Sequence, residues 1–246
     1  MTEELFREDA TLAQCEATVL ACDEAGVVLD RTVFYPLGGG QAGDAGTLTA
    51  ASGAVLPLAD TRKHPARPGD ILHVPAAGAD LSALLPAFVP GTRVVATIDA
   101  ERRRAHMRFH TATHLLCALV PHPVDGCSIT AGYARLDFHM NEPLDKQALT
   151  DGIARLVAEA HPVSHRWIGE AELDANPQLV RSMSVQPPRG SGRVRVLEIE
   201  GVDLQPCGGT HVANTAEVGP VIVTKIEKKS AMTRRVVLGF AEPAEG

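Results

Sequence analysis

Two short motifs, well apart in the chain, carry residue types that bind metals: His110-Thr-Ala-Thr-His114 and Cys207-Gly-Gly-Thr-His211. Within each motif the pair is four residues apart. On a helix that spacing puts both side chains on one face, one turn apart. Together the motifs supply three imidazoles and one thiolate, the usual count and chemistry for tetrahedral zinc. Either pair alone is a weak signal, whereas both in one chain are a strong one. Four protein ligands would close the coordination sphere, while a catalytic zinc usually keeps a place for water. Two arrangements therefore stay open. One ligand is loosely held or the coordination expands, so that water or substrate reaches the metal; or the metal only shapes a pocket where other groups position the attacking water. A Cys207–His211 nucleophile and base is a rival reading, but it leaves His110 and His114 without a task. Gly208 and Gly209 either aim backbone N–H groups at a carbonyl or phosphate oxygen or simply make a tight turn after a strand.

These motifs need elements to position them. Residues 1–98 read as mostly β: Cys15–Leu20, Val27–Asp30 and Val94–Ile98 are short, apolar and β-branched, with Gly and Pro between them. That texture suits a small barrel or sandwich. Ala79–Leu85 reads as a short helix ended by Pro86. Asp99 is a suitable N-cap for a helix from Ala100 to the neighbourhood of Val120, with Pro121 and Pro123 beyond it. His110 and His114 fall inside this helix, with Met107, Leu115, Leu116 and Leu119 as apolar positions and His106 as a flanking residue. A turn at Asp125-Gly126 and a strand at Tyr133–Phe138 follow. Asp145–Ala160 reads as a second amphipathic helix stopped by Pro162, with Leu149, Ile153, Leu156 and Val157 spaced for burial. His165–Ile168 reads as a strand, Glu170–Val180 as short helical structure and Gln186–Gly192 as a Pro/Gly loop. Val194–Ile199, Val218–Ile226 and Arg234–Phe240 read as further strands. The expectation is an α+β chain: a β-barrel-like domain over 1–98 and, over 99–246, two long helices against an antiparallel sheet.

Composition narrows the class. The 246 residues are 45% hydrophobic and 22% charged, which suits a globular chain with a real core. No apolar run approaches the roughly 20 residues of a membrane span. The acidic start, Met1-Thr2-Glu3-Glu4, lacks the regions of a signal peptide, so a cytoplasmic location is expected. Five scattered cysteines form no disulfide framework. The net charge of -7 disfavours nucleic acid, but its distribution does not. Residues 1–100 hold 6 Lys+Arg against 13 Asp+Glu, and residues 178–240 hold 9 against 5. Local basic surface matters more than the total for phosphate contact. The candidates are Arg102-Arg103-Arg104, Arg193 and Arg195, Lys225, Lys228-Lys229 and Arg234-Arg235, with an ordinary solvated face as the alternative.

The segment from Arg108 to Leu116 (RFHTATHLL) resembles the HTATHLL segment of the alanyl-tRNA synthetase editing domain. Cys207–Thr215 (CGGTHVANT) resembles its CGGTHVxNT segment, and Phe34–Gly46 (FYPLGGGQAGDAG) the FYPxGGGQxxDxG loop ahead of that domain. The three motifs occur in the family's order and span nearly the whole chain. There is no room for an aminoacylation domain, so the chain is similar to the free-standing editing proteins of the AlaX family, in the medium form that retains the N-terminal domain. Departures are small: Ala42 where Pro is common, and Cys127 and Ala216 where Gly is common.

The resemblance implies one Zn²⁺ per chain held by His110, His114, Cys207 and His211, which are then also the catalytic centre. It implies hydrolysis of tRNA(Ala) mischarged with serine or glycine. A synthetase pocket built for alanine cannot exclude glycine by size and rejects serine poorly. A second site that hydrogen-bonds serine's hydroxyl can spare the alanyl ester by roughly 10⁴–10⁵. Thr32 and Gln41 are the candidates for that contact, with Gly39, Gly40, Gly208 and Gly209 allowing close approach of the substrate. Arg108, Arg193 and Arg195 are the candidates for tRNA phosphates, a salt-sensitive contact. Two other readings compete: a non-catalytic zinc-containing tRNA-binding module, and a deacylase for another aminoacyl-tRNA. The oligomeric state is not legible, with a monomer favoured.

Overall fold

The computed structural model describes residues 1–180, 190 and 192–241. The chain divides into two compact units, residues 1–38 with 42–104, and residues 39–41 with 105–246. The mixed architecture is the expected α+β class.

The first unit is built on strands β1 (Glu3–Glu4), β2 (Gln14–Asp23), β3 (Gly26–Leu29), β4 (Arg31–Thr32), β5 (Gly46–Ala50), β6 (Val55–Lys63), β7 (Ile71–Pro75) and β8 (Arg93–Ile98). Six of them close an antiparallel barrel in the order β2-β3-β7-β6-β5-β8, while β1 and β4 pair in parallel beside it. Side chains on alternate residues fill the interior: Ala17 and Val19 of β2, Leu29, Leu48, Leu56 and Ala96, capped by Phe34 and Phe88. The short helix α1 (Leu81–Leu84) is capped by Asp80, and a 3-10 turn follows over Leu85–Ala87. α1 stops two residues before Pro86, which sits in the first turn of the 3-10 segment, where the N–H it lacks would be orphaned anyway.

Helix α2 (Ala100–Leu119) starts where the sequence places it: Asp99 Oδ1 accepts the Arg102 N–H at 3.0 Å. Arg103, on its first turns, is 2% exposed. Its guanidinium forks onto the Asp44 carboxylate and donates to the carbonyls of Ala10 (2.7 Å) and Val33 (2.6 Å). Asp44 also accepts the Tyr35 N–H at 2.6 Å. The middle Arg of the Arg102–Arg104 run is therefore an internal strut of the loop after Phe34, not a phosphate contact.

The second unit holds the rest of α2, then β9 (Val124–Ile129), β10 (Ala134–His139), α3 (Lys146–Ala158), β11 (Val163–Gly169), α4 (Glu170–Ala175), β12 (Arg193–Ile199), β13 (Asp203–Pro206), β14 (Val221–Ser230) and β15 (Thr233–Phe240). Four strands form an antiparallel sheet in the order β14-β15-β10-β9, and three form a second, β11-β12-β13. Asp145 caps α3 through the Ala148 N–H. Leu149, Ile153 and Leu156 are its buried face, and Thr150 receives the Val223 N–H of β14.

The expected turn at Asp125-Gly126 is instead inside β9. Gly126 pairs with Asp137 where the β9–β10 register slips by one residue, so the glycine marks a bulge rather than a reversal. The reversal comes at Thr130–Tyr133, closed by a 2.9 Å bond from the Thr130 N–H to the Tyr133 carbonyl. The loop read at Gln186–Gly192 lies, except for Gly190 and Gly192, outside the described residues.

Candidate metal centre

Residues 109 to 117 of α2 are buried on every side, which is unusual for a helix carrying two histidines and two threonines. Polar groups accept such burial only when partnered, and here they converge. The ligating atoms of His110, His114, Cys207 and His211 all lie within 4.8 Å of one another. Cys207 Sγ is 3.5 Å from His110 Nε2 and 3.2 Å from His211 Nε2. His106 is buried one turn earlier and is not part of the cluster.

Every histidine of the cluster has a partner at its outer ring nitrogen. His110 Nδ1 is 2.8 Å from Gln41 Oε1. The Thr210 N–H donates to the same oxygen at 3.1 Å, and Gln41 Nε2 donates to Thr210 Oγ1 at 2.9 Å, which fixes the amide's orientation. An amide oxygen accepts only, so His110 carries its proton on Nδ1 and turns Nε2 inward. His114 Nδ1 meets Asp203 Oδ2 at 2.8 Å, and Gln205 Nε2 donates to that oxygen at 2.7 Å. His211 Nδ1 meets Thr111 Oγ1 at 3.2 Å. Such outer partners set the tautomer and ring orientation of metal-binding histidines.

Electrostatics favour the ligating form of the sulfur. Burial opposes ionisation of Cys207, but His110 and His211 outweigh it and hold the thiol well below its usual value. Burial likewise depresses His114. The Asp203 hydrogen bond and the Cys207 thiolate overcome it and raise the pKa to about 9 in the metal-free protein. Burial, then the charge of His110, keeps His211 well below its usual value.

The Cys207–His211 loop is held from outside. Arg195, 7% exposed, directs Nη1 at the carbonyls of Cys207 (2.9 Å) and Gly209 (3.2 Å). Its guanidinium thus supports the loop instead of offering itself to a phosphate. The Gly209 N–H points at Cys207 Sγ, 3.5 Å away, so it serves the thiolate and not an outer anion. A side chain at Gly209 would fall within the His110 ring; close approach, not a turn, requires this glycine. Gly208 is exposed beside it.

The Gly-rich loop contributes in two ways. Gly39 and Gly40 have φ of 58° and 85°, the left-handed region that favours glycine, and the Gly40 carbonyl receives the Ile129 N–H at 2.7 Å. Gln41, expected at the substrate, is buried with its amide engaged by His110 and Thr210. Thr32, in the first unit, is also buried. His73 Nδ1 faces the Val27 carbonyl at 2.9 Å, so its Nε2 accepts the Thr32 hydroxyl proton at 2.8 Å. Thr32 Oγ1 in turn accepts the Phe34 N–H at 3.0 Å. One lone pair remains.

Of the basic candidates, Arg234 is turned onto backbone carbonyls, including that of Ser230 at 3.1 Å, and Arg235 onto Asp137 at 2.7 Å. Lys225 pairs with Glu227 at 2.7 Å. Arg108 donates to the Val218 carbonyl at 2.8 Å and lies over Phe240. Arg193 is exposed. The sequence reading missed Asp203, Thr111 and Thr210. Asp203 could have been found four residues before Cys207, on the strand that feeds the motif.

Comparisons with known proteins follow the same motifs. Residues 194–237 match the family described as threonyl and alanyl tRNA synthetase second additional domain, and residues 6–102 match class II (A) tRNA synthetases. The chain is 36% identical over 244 residues to the alanyl-tRNA editing protein AlaX-M of Methanosarcina barkeri, covering 96% of this chain and 98% of that protein. It is 31% identical over 248 residues to AlaX-M of Saccharolobus solfataricus, with the same coverage of 96% and 98%. The alanine–tRNA ligase of Pyrococcus furiosus is 31% identical over 254 residues, which cover 99% of this chain and 26% of the ligase.

Proposed function

The chain belongs to the AlaX-M family of alanyl-tRNA editing proteins, and we propose that it hydrolyses mischarged tRNA(Ala), chiefly Ser-tRNA(Ala) and also Gly-tRNA(Ala), at a zinc ion held by His110, His114, Cys207 and His211. The observation that carries this reading is the convergence of three imidazole Nε2 atoms and one thiolate, each imidazole backed at Nδ1. Zinc bond lengths of about 2.05 Å to nitrogen and 2.3 Å to sulfur, at tetrahedral angles, require about 3.5 Å between Nε2 and Sγ. The distances of 3.5 and 3.2 Å fit that requirement. Zinc bound there would polarise the ester carbonyl or lower the pKa of a water.

The chain's own groups would do the rest. Gln41, Asp203 and Thr111 orient the three imidazoles. Arg195 and the Gly209 N–H hold the Cys207 loop. The reading assigns residues 1–98 to an N-terminal domain with the Gly-rich loop and 99–246 to the editing domain, acting in the cytoplasm as a monomer. Arg193 and Arg108 are assigned to the tRNA.

Selectivity for serine is assigned to Thr32. Its proton is committed to His73, so it can only accept, and a serine hydroxyl would donate to its remaining lone pair. Alanine has no such donor. Thr32→Val should bring the rates on Ser-tRNA(Ala) and Ala-tRNA(Ala) together, while Thr32→Ser retains the discrimination. Unchanged selectivity in Thr32→Val would remove the assignment. The reading as a whole is tested by zinc-loaded protein on Ser-, Gly- and Ala-tRNA(Ala) and on Ser-tRNA(Thr), with Cys207→Ala as control. Turnover of none would point to a binding module, and turnover of Ser-tRNA(Thr) alone to a different deacylase.

A further inference from the structure

One face of the β11-β12-β13 sheet serves the metal cluster, and that face extends beyond it. The register sets Ile199 opposite Asp203, Leu197 opposite Gln205, and Trp167 opposite Arg195. Cross-strand partners share a face, as do alternate residues of a strand. Asp203, Gln205, Arg195, Trp167 and Arg193 therefore lie on one side. Asp203 reaches His114, and Arg195 reaches the carbonyls of Cys207 and Gly209. The opposite side carries Ile168, Val194 and Val196, which pack with Leu173 of α4.

At Trp167, directly across from Arg195, and at Arg193, two residues along β12 and roughly 7 Å on, the face becomes solvent-accessible. Trp167 is 37% exposed, and the guanidinium carbon of Arg193 sits 4.4 Å from the centre of its ring. An indole with a guanidinium lying over it, open to solvent, is a pair that binds unpaired nucleotides: bases stack on an aromatic ring or on a guanidinium plane, and phosphates take the cation. We infer that Trp167 and Arg193 form a stacking platform for an unpaired base next to the RNA's terminal nucleotide. The inference rests on the proposed reading of the cluster as a centre that cleaves an ester on RNA. A buried ligand cluster on a sheet face cannot admit a duplex. The last nucleotides must enter as a single strand, and each base so freed loses its stacking partner. Trp167 replaces that partner one step outside the cluster, and Arg193 meets the adjoining phosphate.

Trp167 is the sole tryptophan of the chain, so fluorescence excited selectively at tryptophan reports this position alone. The probes are a short single-stranded RNA and a blunt RNA duplex of the same length, added to zinc-loaded protein. The expected result is quenching by the single strand and none by the duplex. Trp167→Ala should weaken binding of the labelled single strand about 5- to 150-fold. Trp167→Phe should stay within about threefold, since a smaller ring still stacks. Arg193→Gln should lower the slope of log affinity against log salt by about 0.7. Equal metal content in each variant shows that the cluster is intact. Binding without a change in fluorescence, with Trp167→Ala and Trp167→Phe both at wild-type affinity, would overturn the platform, and the surface would then suit a protein partner instead. The two readings fail separately. If wild type and Trp167→Ala cleave mischarged tRNA equally and bind RNA equally, the platform falls and the hydrolytic reading stands. If quenching and the alanine effect appear but no ester is cleaved, the platform stands and the hydrolytic reading falls.

Discussion

Asp203→Asn separates the charge of the carboxylate from its shape. Asp203 is 6% exposed, and its Oδ2 takes both His114 Nδ1–H and a Gln205 Nε2–H. Asparagine can keep an oxygen at that point but removes the charge. Hydrogen bonds to charged groups contribute about 1.5–3 kcal/mol and neutral ones about 0.5–1.5. The metal-bound state should therefore lose about 1–2 kcal/mol, or about 5- to 30-fold in zinc affinity, near the range of about 10- to 100-fold for outer-shell partners. An opposing effect depends on pH. The same carboxylate helps raise His114 to a pKa of about 9 in the metal-free protein. Below that pH the metal must displace a proton from His114, at a cost of about 3 kcal/mol at pH 7. The variant holds that proton less tightly and is handicapped less. The assay is chelator-buffered zinc titration at pH 7 and at pH 9.5, with circular dichroism as a check of folding. The full 5- to 30-fold deficit should appear at pH 9.5 and shrink at pH 7. Affinity within twofold of wild type at pH 9.5, or a deficit that grows as pH falls, would refute the role given to Asp203.

Gly209→Ala forces a methyl group into the His110 ring; overpacking of this kind costs about 1–3 kcal/mol, and zinc competition should read it as about 5- to 150-fold weaker binding. Arg103→Leu leaves the Asp44 carboxylate buried without its cation and should destabilise the chain by about 3–5 kcal/mol in urea denaturation; adding Asp44→Asn should recover part of that loss. Burial, against the opposing effect of the Val27 carbonyl, holds His73 at a pKa of about 4. The unfolded chain takes up that proton below about 6.5, so this stability is complete above pH 6.5 and declines as pH falls toward 4. His73→Gln should remove a component of about 2–3 kcal/mol from the wild-type loss between pH 7.5 and pH 4.5, and a wild-type-to-variant difference that ignores pH would contradict it.

The clustering of His110, His114, Cys207 and His211 was readable because the spacing within each pair brings its two side chains together. The start of α2 was readable because Asp99 caps it by a local bond. The barrel was readable as a class but not strand by strand. β6 carries Pro57, Asp60, Thr61 and Arg62, which hide its alternation, although Leu56 and Leu58 still point into the core. Gly126 was misleading because glycine marks bulges and turns alike, and only the β9–β10 pairing distinguishes them. Runs of arginine concealed opposite fates: Arg103 and Arg195 are buried struts, whereas Arg193 is open to solvent. Their partners, Asp44 and the Cys207 loop carbonyls, lie 59 and 12 residues away in sequence, and no local pattern connects them. Gln41 was singled out beside the glycines as a substrate contact, whereas its amide engages His110, a contact across 69 residues.

The most direct test of the central claim compares metal-stripped and zinc-reloaded protein on Ser-tRNA(Ala) and Ala-tRNA(Ala), read as release of the amino acid. The account predicts no hydrolysis by stripped protein. On reloading, seryl hydrolysis returns while the alanyl ester is spared by a factor on the order of 10⁴, as for a site that hydrogen-bonds the distinguishing hydroxyl. Equal hydrolysis with and without metal, or equal rates on the two esters, would contradict it.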